Sequence, residues 1–208
     1  FELFSGSDIA HGTLEMNGVA RADGKKQGQV KILREQPTVE LWEKHLEGGT
    51  GLGIIPIKSD NTCRWGAIDI DSYTVDHKKL SQKISKQKIP AVVGRSKSGG
   101  AHIWVFLKEP VKAVIVQRKM TELASSLGYA DSEIFPKQSA ILVQRGDTGN
   151  MLNMPYHSGK RTTRYAFDDN GDALTIEDFI SHVKPLILTK AKLDKIDFDF
   201  GSDKSLLE

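Results

Sequence analysis

The chain has 208 residues, 38% hydrophobic, 27% charged and 7% aromatic, which suits one globular domain or two closely packed halves. Its formal charge is only +2, from 29 basic and 27 acidic residues, so net charge alone does not announce a nucleic-acid binder. No apolar run approaches the ~20 residues needed to cross a bilayer, no signal-peptide order opens the sequence, and Cys63 alone allows neither a disulfide nor a cysteine-based zinc site within the chain. A reducing, cytoplasmic setting is expected, with no membrane partner.

In chain order, residues 1–36 are Gly-rich and polar with weak periodicity, and are expected as a lead-in of loops or a small lobe. Thr38 is a candidate N-cap for a helix over 39–46, which Gly48-Gly49 stops. Residues 51–57 and 64–71 read as strands around a turn at 58–61. Residues 76–88 form a short basic helix. Strands at 91–95 and 101–107 then flank a tight loop and make a hairpin. The spacing of Val116, Met120, Leu123, Ala124 and Leu127 predicts a helix over 111–127 that ends at Gly128. Short strands are expected near 133–135, 141–143 and 151–154, and a hairpin over 164–174 turns at Asn170-Gly171. Thr175 through Asp178 resembles a capping box for a helix to about Val183. The tail from Lys190 is expected to be partly mobile or to lead into a further domain. Hairpins with intervening helices argue α+β. The working division is therefore 1–36 as lead-in, 37–188 as catalytic domain and 189–208 as tail or linker.

Positive charge is unevenly spread. Lys78, Lys79, Lys83, Lys86, Lys88, Arg95 and Lys97 face one acid, Asp76, and smaller groups lie at Arg21–Lys31 and at Lys160, Arg161 and Arg164. Such runs suit phosphate contacts, although a solvated helix face is the commoner origin of the 78–88 run.

The sharpest motif is Trp65-Gly66-Ala67-Ile68-Asp69-Ile70-Asp71. On a strand, Ile68 and Ile70 take one face while Asp69 and Asp71 share the other. Two such carboxylates are oxygen ligands for a hard divalent cation and leave positions for water and phosphate; the plainer alternative is an exposed edge strand. Next comes Gly94-Arg95-Ser96-Lys97-Ser98-Gly99-Gly100-Ala101-His102. Its glycines let backbone N–H groups approach an anion, Arg95 and Lys97 supply charge, and His102 stands where it can donate to a phosphate, unless it is a satisfied structural histidine. His102, Trp104 and Phe106 are predicted on one face, with Ile103, Val105 and Leu107 on the other. No Gly-Lys-Ser/Thr follows, which disfavours a P-loop. Within Asp131-Ser132-Glu133-Ile134-Phe135-Pro136-Lys137, Glu133 offers a third carboxylate, with Asp131 its competitor, and Lys137 lies within reach of phosphate or template. The stretch from Gly149 to Tyr156 reads as a buried strand entering a turn.

These signatures, in this order, resemble the archaeo-eukaryotic primase superfamily, in particular the primase and primase-polymerase domains of phages and mobile elements, including those of TOTE conflict systems. The carriers are Asp-x-Asp at Asp69 and Asp71, small-x-His at Gly100-Ala101-His102 behind Ser98, the acid Glu133, and Gly149-Asn150 through Pro155. The chain departs from the usual pattern in having Gly100 where Ser is common and Glu133 where Asp is usual. The resemblance implies an α+β catalytic core in which an RRM-like sheet carries the acids against a smaller α/β unit. It implies template-dependent nucleotidyl transfer from an NTP or dNTP to a 3′-hydroxyl on single-stranded DNA. Asp69, Asp71 and Glu133 would be the catalytic acids holding Mg²⁺ or Mn²⁺, and His102, Ser98, Arg95 and Lys97 would hold the triphosphate. A replicative helicase or further domains are implied as partners.

Other classes use the same residue types. A metal-dependent nuclease needs the same three acids, a glycosyltransferase uses an Asp-x-Asp pair on a nucleotide diphosphate, and a replication initiator grips single-stranded DNA without polymerising. Dependence on nucleoside triphosphates separates the primase from the nuclease, nucleotide-sugar turnover identifies the transferase, and tight binding with no metal effect identifies the initiator.

Overall fold

In the computed structural model, which describes residues 2–20 and 26–198, the chain builds two sheets of four strands. The elements run β1 (His11–Ala20), β2 (Lys26–Leu33), α1 (Val39–Glu47), β3 (Gly51–Ile54), β4 (Thr62–Ile70), α2 (His77–Lys86), β5 (Val92–Arg95) and β6 (Ala101–Lys112). They continue with α3 (Ala113–Leu127), β7 (Glu133–Phe135), β8 (Leu152–Asn153), α4 (Ile176–Val183) and α5 (Lys190–Lys195). One sheet is ordered β2-β1-β3-β8 and the other β5-β6-β4-β7, with antiparallel pairing throughout. The α+β class follows directly.

The second sheet is buried on both faces, and its strands alternate accordingly. Ile68, Ile70, Ile103, Val105 and Leu107 belong to an aliphatic core that takes in Leu80 and Ile84 of α2 and Val116, Met120 and Leu123 of α3. Trp65, Ala67, Trp104 and Phe106 face an aromatic core with Phe4, Trp42, Tyr156 and Phe179. The division of β6 into His102, Trp104 and Phe106 against Ile103, Val105 and Leu107 is the one its period-2 pattern predicts.

Three expectations change. The N-terminal residues, expected as loops or a small lobe with weak periodicity, form β1 and β2, and Phe4 sits at the centre of the aromatic core, its ring centroid 5.2–5.7 Å from Trp65, Trp104 and Phe106. Glycine hides this strand signal: a Cβ at Gly12 would lie 1.8 Å from Met151 Sδ and one at Gly53 2.1 Å from it, so both positions are kept bare for Met151. The strand expected near 141–143 is instead a loop entering a 3₁₀ turn, Val143–Arg145. Side chains take its backbone donors, Asn61 Oδ1 accepting from Ile141 N–H at 2.7 Å and Asp147 Oδ2 from Leu142 N–H at 2.9 Å, so no ladder forms. Finally, the start of the tail expected from Lys190 to be partly mobile or to lead into a further domain folds as α5, with Leu193 and Phe198 in the aliphatic core. Residues 199–208 of that tail lie outside the described part.

The 164–174 hairpin has its predicted turn, with Gly171 at φ +83° and Phe167 bridged to Ala173. Its first limb also docks on the β5 edge: Arg95 N–H donates to Tyr165 O and Phe167 N–H to Val93 O, both at 2.9 Å. That edge is thereby covered. Thr175 caps α4 through Asp178 N–H, as the box predicts.

Candidate active site

The acids lie where β4 ends. β4 stops at Ile70, one residue short of the predicted strand, so Asp69 is the last acid on the ladder and Asp71 stands just beyond it. Register then assembles a row across the sheet: Glu133 of β7 pairs with Asp69, Asp69 with His102 of β6, and His102 with Gly94 of β5. Directly paired residues of antiparallel strands share a face. The row therefore points to the side of the aromatic core, beyond the end of its packed rings. Asp131 lies in the turn before β7, so only Glu133 is in register with Asp69.

His102 is 5% exposed, and its Nε2 lies 3.3 Å from Asp69 Oδ1. Its ring is edge-on to Trp104 at 5.5 Å, which fixes the imidazole plane. Asp71 is exposed and accepts from Ser98 Oγ at 3.3 Å, and Ser98 Oγ lies 3.1 Å from Ser96 Oγ. Glu133 is ion-paired with Lys137 at 2.7 Å. Ser98 thus reaches the second acid directly.

Gly100 accounts for the departure from Ser. A Cβ there would stand 2.1 Å from Ile70 O and 3.3 Å from Ser72 N, so the loop packs backbone to backbone against the end of β4. Any side chain would push the loop off the acids.

Among the described residues, no group of three or more His, Cys, Asp or Glu converges as a ready-made metal cluster. Asp69, Asp71 and Glu133 thus do not share one point, since Glu133 is held by Lys137 and Asp71 leans toward Ser98. The donor chemistry nevertheless fits a hard divalent cation. Mg²⁺ commonly takes one or two protein carboxylates and completes its shell with water and substrate phosphate, and Asp69 with Asp71 are such a pair.

The glycine loop carries the cations Arg95 and Lys97, and Arg164 lies on the limb that docks against β5. Arg95 donates from Nη1 to Thr163 O at 3.2 Å, which draws the 164–174 limb against the loop. Arg164, on that limb, has its guanidinium pKa lowered by burial, and its Nη1 is buried with no hydrogen-bond partner. The Lys97 ammonium pKa is also lowered, by burial and then by the positive charge of Arg164. Two cations that repel one another, one with an unpaired buried donor, describe a place for an anion. Sequence reasoning placed Arg164 only in a loose basic group, because its approach to Lys97 exists only after folding. An apolar groove of about 570 Å³ lined by Phe4, Trp42, Phe106 and Phe179 has none of Asp69, Asp71 and Glu133 in its walls.

An α+β domain whose sheet carries Asp-x-Asp beside a glycine-rich loop and His is of the archaeo-eukaryotic primase class. More particularly, the chain belongs to the archaeo-eukaryotic primase domain family of TOTE conflict systems, whose model matches residues 19–193. Among solved structures it is similar to the AEP domain of the primase-polymerase (PrimPol) of cyanophage S-2L, at 10% identity and a TM-score of 0.42, over 85% of this chain and 89% of that one. No curated protein matches it in sequence. No helix among the described residues is long and apolar enough to cross a membrane.

Proposed function

We propose that this primase-family domain is a template-dependent nucleotidyltransferase, joining the α-phosphate of an NTP or dNTP to a 3′-hydroxyl on single-stranded DNA. The observation that carries the reading is the row at one sheet end, Glu133 in register with Asp69 and Asp69 with His102, beside a basic glycine loop whose Ser98 reaches Asp71. Phosphoryl transfer asks the protein mainly for position and electrostatics.

Asp69 and Asp71 are the residues that would hold Mg²⁺ or Mn²⁺, and such an ion supplies charge to the phosphate oxygens and acidity to the attacking hydroxyl. Lys97, Arg164, Arg95 and Ser98 bind the triphosphate. As pyrophosphate leaves, its growing charge meets these cations, which hold it more tightly than the bound substrate. His102 keeps the Asp69 carboxylate oriented and shares its Nε2–H between that oxygen and a phosphate. Lys137 neutralises Glu133; contact of Lys137 with a phosphate frees Glu133 to turn toward its register partner, Asp69.

The test is to incubate the chain with single-stranded DNA of mixed sequence, labelled NTPs or dNTPs, and Mg²⁺ or Mn²⁺, beside an Asp69→Ala/Asp71→Ala variant. Template-dependent products should appear for the wild type and vanish in the variant. Metal-dependent shortening of the DNA without nucleotide incorporation would replace this reading with the nuclease.

A further inference from the structure

Beside the acids, Tyr73 and one face of α2 take no part in the site described above. Tyr73 follows Asp71 by two residues and is 67% exposed, although it is an aromatic ring. Its Cδ1 lies 4.0 Å from where a Cβ on Gly99 would be, so the ring borders the glycine loop. The segment carrying it is strapped at both ends. Ser72 Oγ and Thr74 Oγ1 are 3.0 Å apart, Asp76 caps α2 at Lys79 N–H, and His77 Nε2 meets Gly100 O at 2.9 Å. The exposed ring thus stands on backbone tied to the loop that presses on the acids.

From Tyr73, α2 carries Lys79, Lys83 and Lys86 at i, i+4 and i+7, which places them on one stripe about 10 Å long. All three are exposed, and the helix buries Leu80, Ser81 and Ile84 on its other side. Asp76 is the acid beside this stripe, 3.6 Å from Lys79 Nζ, and its carboxylate is committed to the cap. Lys83 Nζ also donates to Leu127 O, which holds the middle of the stripe in place. An aromatic face followed by a row of cations is the pairing that binds single strands without sequence preference, bases on the ring and phosphates on the lysines.

We propose that Tyr73 and the Lys79–Lys83–Lys86 stripe form the track along which the single-stranded template reaches the site, one base stacking on the tyrosine ring. The neighbours of Tyr73, Ser72 and Thr74, are polar, so the ring is not the centre of an apolar protein-docking patch. This assignment rests on the nucleotidyltransferase reading for its biological role, but its physical content is strand binding.

The test is binding of the full chain to a fluorescent oligothymidylate, and to an abasic strand of equal length, by anisotropy across a salt series without nucleotide or metal. Tyr73→Ala should weaken the thymidylate about tenfold and leave the abasic strand unchanged, while Tyr73→Phe retains wild-type affinity. Lys79→Gln/Lys86→Gln should weaken both strands and reduce the slope of log K against log salt by about 1.4, two phosphate contacts. Unchanged thermal melting shows that each variant is folded. Wild-type affinity in Tyr73→Ala, equal losses on both strands, or no strand binding by the wild type overturns the track. Strand binding with the predicted variant pattern, but without nucleotide incorporation, sinks the polymerase reading and leaves the track standing. Incorporation by a wild type whose Tyr73 and lysine variants bind normally does the reverse.

Discussion

At the scale of single residues, the candidate site is a set of charged groups whose pairing the fold controls. Arg164 is the clearest case: burial and then its positive charge lower the Lys97 pKa, and its own buried Nη1 has no hydrogen-bond partner, which is costly. Arg164→Ala should therefore raise KM for the nucleoside triphosphate by roughly tenfold to a hundredfold, the loss of one charge-assisted hydrogen bond. It should also leave Tm unchanged or slightly higher; a lowered Tm with unchanged KM would make Arg164 a structural residue. His45 shows burial acting alone. It is 0% exposed, its Nδ1 accepts from Leu52 N–H at 2.9 Å, and its Nε2 lies 2.8 Å from Pro155 O. Desolvation by burial moves its pKa from 6.5 to about 4. The unfolded chain then binds the proton more readily than the folded one. This part of the stability is full above pH 6.5 and is lost, by up to ~3 kcal/mol, as pH falls toward 4. Urea titrations at pH 7.5 and 4.5 should show that loss, and His45→Gln should show a smaller one. The motif residues Asp69, Asp71 and His102 stood out in the sequence because each lies in or at the end of a short apolar strand with an alternating pattern. Arg164 was not, because its meeting with Lys97 depends on how two distant segments dock.

At the scale of elements, local chemistry and local structure agree where capping and periodicity act within one segment. α3 ends at Gly128, at φ +87°, as its helical spacing and glycine stop predict, although it begins two residues later than the pattern suggests. α4 begins at the Thr175 cap, whose Oγ1 accepts from Asp178 N–H at 3.1 Å. Thr175→Ala should cost about 1 kcal/mol in a denaturant midpoint at unchanged m-value, because it orphans a backbone donor in the first turn. Disagreement comes where an element depends on a neighbour. β1 carries Gly12, and β3 Gly53, where Met151 packs from another segment, and the 141–143 stretch loses its strand to side-chain acceptors from Asn61 and Asp147. Neither partner is local, so no window of sequence contains the cause.

At the scale of the whole molecule, the two sheets are joined through the aromatic core, and the N-terminal segment is part of that join. Phe4 is 4% exposed and meets Trp42, Trp65, Trp104, Phe106 and Phe179. Phe4→Ala should lower stability by about 3–5 kcal/mol in equilibrium urea unfolding, the range for truncating a buried aromatic, and a surface residue there would give under 1 kcal/mol. The aliphatic core makes a similar demand on the other end of the chain, since Leu193 and Phe198 close it. By itself the sequence determined the α+β class, the hairpin that bears the glycine loop, and the acids and histidine of the site, because short-period patterns and close-range turns are properties of adjacent residues. Only the tertiary structure decided that Glu133, Asp69, His102 and Gly94 form one row, that Gly100 must lack a side chain, that the charges of Arg164 and Lys97 repel one another, and that Phe4 and Phe198 belong to the cores. Those outcomes depend on strand register and on the docking of segments far apart in sequence, where burial and charge act through space.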